Sequence, residues 1–244
     1  MKIKDLENKH KDEIIFVIGS GPSLHFVNPD LINDYTKICV NASIMKFSGA
    51  DYFLSDDEDI VFHSFFQKDL LLSSAICLFY RKKLEGLTNL IPKERTIFFD
   101  HKLWYNPATK EKPTEGLVMT KDANLPVIGA RNSLASAVHF AYIMGAKKIV
   151  ILGADCCYDG NKKYFWEYDG EKKVKRLDNR AGLFFPKRKI NNVVVDTSTI
   201  DFMAYWRELA EQAKKQNIDI INASGGIMDA FPREKIEDIL KPEL

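Results

Sequence analysis

The chain has little of what would declare its chemistry at once. Its four cysteines, Cys39, Cys77, Cys156 and Cys157, show no C-x-x-C spacing. That pattern excludes a disulfide framework and gives a zinc site no place to start, so reduced thiols in a cytoplasmic protein are expected. An excess of one charge is missing too. The 35 Lys and Arg against 34 Asp and Glu leave a net +1, which draws neither nucleic acid nor an anionic membrane. No apolar run reaches the length of a membrane span, and Met1-Lys2-Ile3-Lys4-Asp5-Leu6-Glu7 is charged where a signal peptide would be apolar. The histidines His10, His25, His63, His101 and His139 stand apart, with no H-E-x-x-H and no Ser-His-Asp arrangement, so hydrolase chemistry has no support. His139, inside an apolar helical pattern, reads as a satisfied core residue.

What is present is a chain of 244 residues, long enough for one large α/β domain with a full core. Short apolar runs alternate with helical patterns, the signature of a mostly parallel sheet covered by helices on both faces. Strands are expected near 14–18, 37–40, 52–54, 75–79, 96–99, 148–152 and 219–221. The best-defined helices are expected at 132–144 and 199–216, ending at the turn signals Gly145 and Asn217. Between about 156 and 195 the periodicity fails in a charged, aromatic-rich stretch, which predicts a lid over a site or a surface excursion. A single domain over 1–244 is the simplest division.

The most informative run is Ile14-Ile15-Phe16-Val17-Ile18-Gly19-Ser20-Gly21-Pro22-Ser23-Leu24. A strand empties into a turn whose glycines, Gly19 and Gly21, allow positive φ and close approach of a ligand, with Ser20 between them. Free amides past the strand end can face an anion, and Pro22 and Ser23 suit the first turn of a helix. The run lacks the third glycine of G-x-G-x-x-G and the Lys-Ser/Thr ending of a P-loop. A phosphate grip is one reading, and a tight turn that binds nothing is the other. On the first, a side chain at Gly21 would fill phosphate space in a protein that still folds.

Ligands of open parallel sheets bind beyond the carboxyl ends of the strands. Past those ends lie Gly19 to Ser23, then Asn41 and Ser43, then Asp56-Asp57-Glu58-Asp59, then Gly153, Asp155 and Tyr158. Asn41 and Ser43 suit a base, a ribose or a sugar, or they cap the next helix. Asn132 and Ser133 open a helix, where they hold phosphate or simply cap. The acidic run invites magnesium, with Asp56 the residue to keep and the others helix-dipole partners.

These motifs, taken in order, resemble a known superfamily. Gly19-Ser20-Gly21-Pro22-Ser23-Leu24, Val40-Asn41-Ala42-Ser43, Ala50 to Asp56, Asn132-Ser133-Leu134-Ala135 and Gly145 to Asp155 are similar to the MptE-like proteins. That group is named for the archaeal 6-hydroxymethylpterin diphosphokinase and includes the motility accessory factor flagellin glycosyltransferases. Ile221 to Gly226 and Phe231-Pro232-Arg233 extend the likeness to nearly the whole chain. The layout also resembles the bacterial lipooligosaccharide sialyltransferases, which use CMP-sialic acid. The resemblance implies a Rossmann-like fold and a donor nucleotide contacted by Asn41, Asn132 and Ser133. It also implies, after Gly153-Ala154-Asp155, two tyrosines six apart, Tyr158 and Tyr164, facing the donor phosphate. Two O–H donors there would stabilise a leaving phosphate without metal. The sialyltransferases carry a catalytic histidine at the end of the lid, where this chain reads Val195-Asp196-Thr197. Asp196 is a substitute base or a helix cap.

Three functions are therefore expected in turn. The first is a glycosyltransferase taking a CMP-type sugar donor to a small-molecule or glycan acceptor. The second is diphosphoryl transfer from ATP to a hydroxymethylpterin-like acceptor, with Asp56 and Asp155 holding magnesium. The third is a nucleotide-binding module without turnover. None involves nucleic acid or a transmembrane segment.

Overall fold

The computed structural model describes residues 1–57, 61, 64–85, 90–103, 119–129, 132–169, 187–190 and 193–241. Its centre is a seven-stranded, all-parallel sheet. In chain order the strands of that sheet are β1 (Ile14–Ile18), β2 (Thr36–Val40), β3 (Tyr52–Ser55), β4 (Ile76–Tyr80), β5 (Thr96–Phe99), β8 (Lys148–Leu152) and β11 (Asp219–Asn222). Their spatial order is β11-β8-β1-β2-β3-β4-β5. The chain therefore runs outward from β1 to one edge, then returns to lay β8 on the other side of β1. The β1/β8 boundary is the switch point at which a doubly wound sheet opens a crevice past its carboxyl ends.

Each expected strand of the sheet is present within about two residues, because a strand covered on both faces must be apolar almost throughout. Alternation then sorts its side chains. Ile15 and Val17, with Ile38, Val40, Ile149 and Ile151, enter one core, against α3 (Ser133–Ile143) and α4 (Thr197–Lys215). Phe16 and Ile18, with Cys39, Phe53, Phe79, Val150 and Leu152, enter the other, against Leu70 of α1 (Ser64–Leu72), Leu84 of α2 (Arg81–Leu84) and Ile236 and Ile239 of α5 (Ile236–Ile239). Register is firm: Val17 faces Ile38 on one side and Ile151 on the other. Helix α3 stops at Gly145, whose φ of +87° is the left-handed turn a glycine accepts, and α4 is followed by Asn217 at +53°.

Four strands were not foreseen. β6 (His101–Leu103) pairs in parallel with β7 (Val127–Gly129), and β9 (Lys187–Ile190) pairs antiparallel with β10 (Val193–Asp196). They are short, and Lys-Arg-Lys-Ile has no apolar run to announce it. Part of the irregular stretch expected as a lid packs into the fold. Phe165 and Trp166, in a 3-10 turn, are buried in the second core, so residues 165–166 are a packed wall rather than a loose cover. Residues 170–186 and 191–192 of that stretch, like Glu58, Asp59 and His63, lie outside the described residues. Among the described residues, no helix is long and apolar enough to cross a membrane.

Candidate functional site

Three glycine-bearing turns meet past the carboxyl ends of β1, β8 and β11, and Asp155 is wedged between them. Gly19 N donates to Leu152 O and Gly21 N to Gly153 O. Ser23 donates to the Asp155 carboxylate twice, from its amide at 3.3 Å and from its hydroxyl at 2.9 Å. On the far side Ile227 N donates to Asp155 O, and Ala154 N donates to Ser224 Oγ. A Cβ on Gly225 would stand 2.9 Å from Asp155 Oδ1, and one on Gly226, whose φ is +70°, 2.1 Å from Asp155 O. Asp155 is 3% exposed. Burial pushes its carboxyl above the usual range, and the Ser23 bonds and Arg233 pull back.

The geometry differs from the phosphate-grip expectation in what the glycines approach. Gly21 has φ −64°, on the ordinary side of the map. A Cβ there would meet Asp155 Oδ2 at 2.1 Å and Gly153 O at 2.7 Å, and one on Gly19 would meet Gly153 O at 2.6 Å. The glycines allow close approach, but the backbone that approaches is the chain's own. The anion facing the Ser23 amide is Asp155. Pro22 starts a 3-10 turn, Pro22–Phe26, rather than an α-helix. Ser224, Gly225 and Gly226 were named only as part of a closing motif, and their packing against Asp155 was missed.

The neighbouring turn leaves something open. Ser43 is fully buried: its hydroxyl accepts from Val40 N and donates to Ile18 O, tying the ends of β1 and β2 together. Its hydroxyl is thus engaged within the fold. Asn41 differs. It sits at φ +56°, a region side chains rarely adopt, and its buried Oδ1 has no hydrogen-bond partner. Ser20 lies alongside, its hydroxyl donating to Val40 O and its carbonyl accepting from Phe165 N.

That last bond brings the aromatic segment to the turn. Tyr164 stacks on Trp166 with centroids 4.4 Å apart. Lys163 Nζ stands 5.6 Å from the Tyr164 ring centroid and 5.8 Å from that of Tyr158, so one ammonium links the two expected tyrosines. The backbone here is held by Glu167, which accepts from the amides of Lys163 and Tyr164. Tyr158 N donates to Val194 O of β10. Lys163 was not anticipated: in the run Asn161-Lys162-Lys163 it reads as solvated charge.

The remaining residues divide. Asn132 is the N-cap of α3, its Oδ1 accepting from Leu134 N at 3.0 Å. Leu134 Cδ2 lies 3.3 Å from where a Gly19 Cβ would be, so the helix start, with Ser133 buried, rests on the glycine turn. Asp56 follows β3, whereas Asp155 follows β8, and β1 and β2 stand between. At roughly 4.8 Å per strand the two ends are about 14 Å apart, too far to share a magnesium ion. Among the described residues no three His, Cys, Asp or Glu side chains converge as metal ligands. Asp196 ends β10, and its side chain is outside the described set. His139 is the satisfied core residue expected: Nδ1 accepts from Ile128 N, Nε2 faces Thr120 O at 2.7 Å, and burial lowers its pKa to about 4.

No family model matches the chain, and no curated protein matches it in sequence. In structure it is similar to a Maf glycosyltransferase from Magnetospirillum magneticum, with a TM-score of 0.55 and 10% sequence identity, over 95% of this chain and 35% of that one. The chain thus spans about a third of that protein's length. At this identity the likeness is one of fold, and this chain's own fold is a Rossmann-like α/β one with an all-parallel seven-stranded sheet.

Proposed function

We propose that the chain is a glycosyltransferase that takes a nucleotide sugar, of CMP type, beside Asn41, Ser20, Tyr158, Lys163 and Tyr164. The observation that carries the reading is Asn41. A buried amide oxygen without a partner is costly, by about 1–3 kcal/mol, and a left-handed Asn adds strain. The first cost is removed if the oxygen accepts from a ligand O–H or N–H, which a ribose hydroxyl or a base amino group supplies. The Maf protein adds that the fold serves glycosyl transfer elsewhere.

In this reading Asn41 binds and orients the nucleoside. Lys163 and the phenols of Tyr158 and Tyr164 meet the negative charge that grows on the departing phosphate, the moment at which fixed donors count most. Asp155 does not touch the substrate. Its carboxylate is spent on Ser23, and it keeps the glycine turn in place. No observation favours the diphosphokinase alternative, because its two carboxylates do not converge.

The test is calorimetry with CMP, CTP, ATP and GDP, with and without magnesium, on the wild type and Asn41→Ala. Expected is CMP binding without magnesium, weakened by about 1–2 kcal/mol in the variant. Binding of ATP alone, and only with magnesium, would replace the reading with diphosphoryl transfer.

A further inference from the structure

One carboxylate in the aromatic segment does more than its turn requires. The 3-10 turn Phe165–Tyr168 has Tyr164 as its N-cap residue, and Glu167 accepts from the Tyr164 amide at 3.2 Å, which is the bond of a capping box. The same oxygen, Glu167 Oε2, also accepts from the amide of Lys163. Lys163 lies ahead of the cap, so this second bond adds nothing to the turn itself. The next amide, Phe165 N, donates to Ser20 O of the glycine loop. The backbone at 163, 164 and 165 is therefore pinned amide by amide, twice by Glu167 and once by the loop.

The side chains that leave this backbone are held differently. The Tyr164 ring stacks on Trp166, which is buried in the second core, so packing fixes the phenol. Lys163 is half-buried and sends a flexible stem to an ammonium 5.8 Å from the Tyr158 centroid and 5.6 Å from that of Tyr164. A cation–π contact outside a dry core is weaker than the rotamer entropy of a lysine. The direction in which the stem leaves the backbone then decides where the ammonium sits. We infer that Glu167 is a positioning residue of the proposed donor site: by fixing the Lys163 and Tyr164 amides it aims the Lys163 ammonium at the two tyrosine rings. Glu167 itself touches no substrate. Its role is one of reach and not of charge, because both bonds come from neutral amides, which a side-chain amide oxygen accepts as well. The inference rests on the nucleotide-sugar reading and adds to it a residue that acts through Lys163.

The test compares Glu167→Gln, Glu167→Asp and Glu167→Ala with the wild type by two readouts. One is calorimetric titration with CMP. The other is NMR of protein isotopically labelled at lysine Cε, in which Lys163→Arg identifies the Lys163 signal. In the wild type that signal should stand apart from the bulk of the lysines, displaced by the ring currents of the two tyrosines. Glu167→Gln keeps the reach without the charge, so it should keep the signal and bind CMP within about twofold of wild type. Glu167→Asp keeps the charge and loses a methylene, and Glu167→Ala loses both. Each should return the signal to the bulk and weaken CMP binding about fivefold or more. Should Glu167→Ala fail to fold, the Gln and Asp variants decide between them. CMP binding weakened by Gln and not by Asp makes the role one of charge and overturns the inference. So does a fall in melting temperature with signal and affinity unmoved, which reduces Glu167 to a cap. A wild type that binds no CMP is a separate failure: it removes the donor reading, while the Lys163 signal in the same variants still decides whether Glu167 aims the ammonium.

Discussion

The two ends of the central sheet both carry polar clusters, and they differ in whether they close. At the amino ends of the strands, His10 Nδ1 meets Glu13 at 2.9 Å, His10 Nε2 meets the Tyr52 hydroxyl at 2.7 Å, and Thr36 Oγ1 donates to Glu13 at 2.9 Å. Burial holds the Tyr52 phenol well above its usual pKa, so it stays protonated and inert. At the carboxyl ends Asp155 and Ser43 are as fully engaged, yet Asn41 Oδ1 is not. A polar network that closes on itself holds a fold together. One that leaves a buried acceptor open, past β2 and beside the β1 turn, is the place the proposal gives to a ligand.

The sharpest way to break the carboxyl-end cluster is Gly21→Val. A Cβ 2.1 Å from Asp155 Oδ2 and 2.7 Å from Gly153 O has nowhere to go. The expected outcome is loss of more than about 3 kcal/mol, seen as insolubility or a large drop in melting temperature. A folded Gly21→Val protein that merely fails to bind nucleotide would restore the phosphate-grip picture.

Acid should strike a closed network next. His139 titrates near 6.5 when unfolded and about 4 when folded, so between those values the unfolded chain holds the extra proton. Its contribution is therefore complete above pH 6.5 and lost as pH falls toward 4, by about 3 kcal/mol. Denaturant midpoints from pH 7 to 4 measure this, and His139→Gln should flatten the slope.

Asn41→Gly separates binding from folding. Glycine accepts φ +56° without strain, so stability should hold or rise within about 1 kcal/mol. Nucleotide affinity should fall by about 1–2 kcal/mol. Equal loss of both would make Asn41 part of a closed network. The smallest effect belongs to the amino end: Tyr52→Phe strips His10 Nε2 of its partner, costs about 1 kcal/mol in stability and leaves CMP binding unchanged. Any change in affinity there would blur the distinction between the two ends.

The sheet was legible because its strands, buried on both faces, must be written in apolar residues, as Ile14 to Ile18 and Lys148 to Leu152 show. Asn41 was legible by position, one residue past a strand. The glycines were legible only as places of close approach. Whether a phosphate or Gly153 comes close depends on a partner 132 residues away from Ser23, at Asp155, which local pattern does not contain. Lys163 was invisible for the opposite reason: what distinguishes it from Lys162 is the pair of rings it faces.

The convergence of three glycine turns on Asp155 also sets an order of events. Ser23, Asp155 and Gly225 are separated by most of the chain, and loop closure over such spans is slow compared with forming α3 or pairing β1 with β2. During synthesis the first five strands of the sheet can emerge and pair while the site is still two pieces. Asp155 has no wall behind it until β11 and the Ser224-Gly225-Gly226 turn have left the ribosome. The Asp155 junction is thus among the last parts of this fold to be completed, after the first five strands have been able to pair.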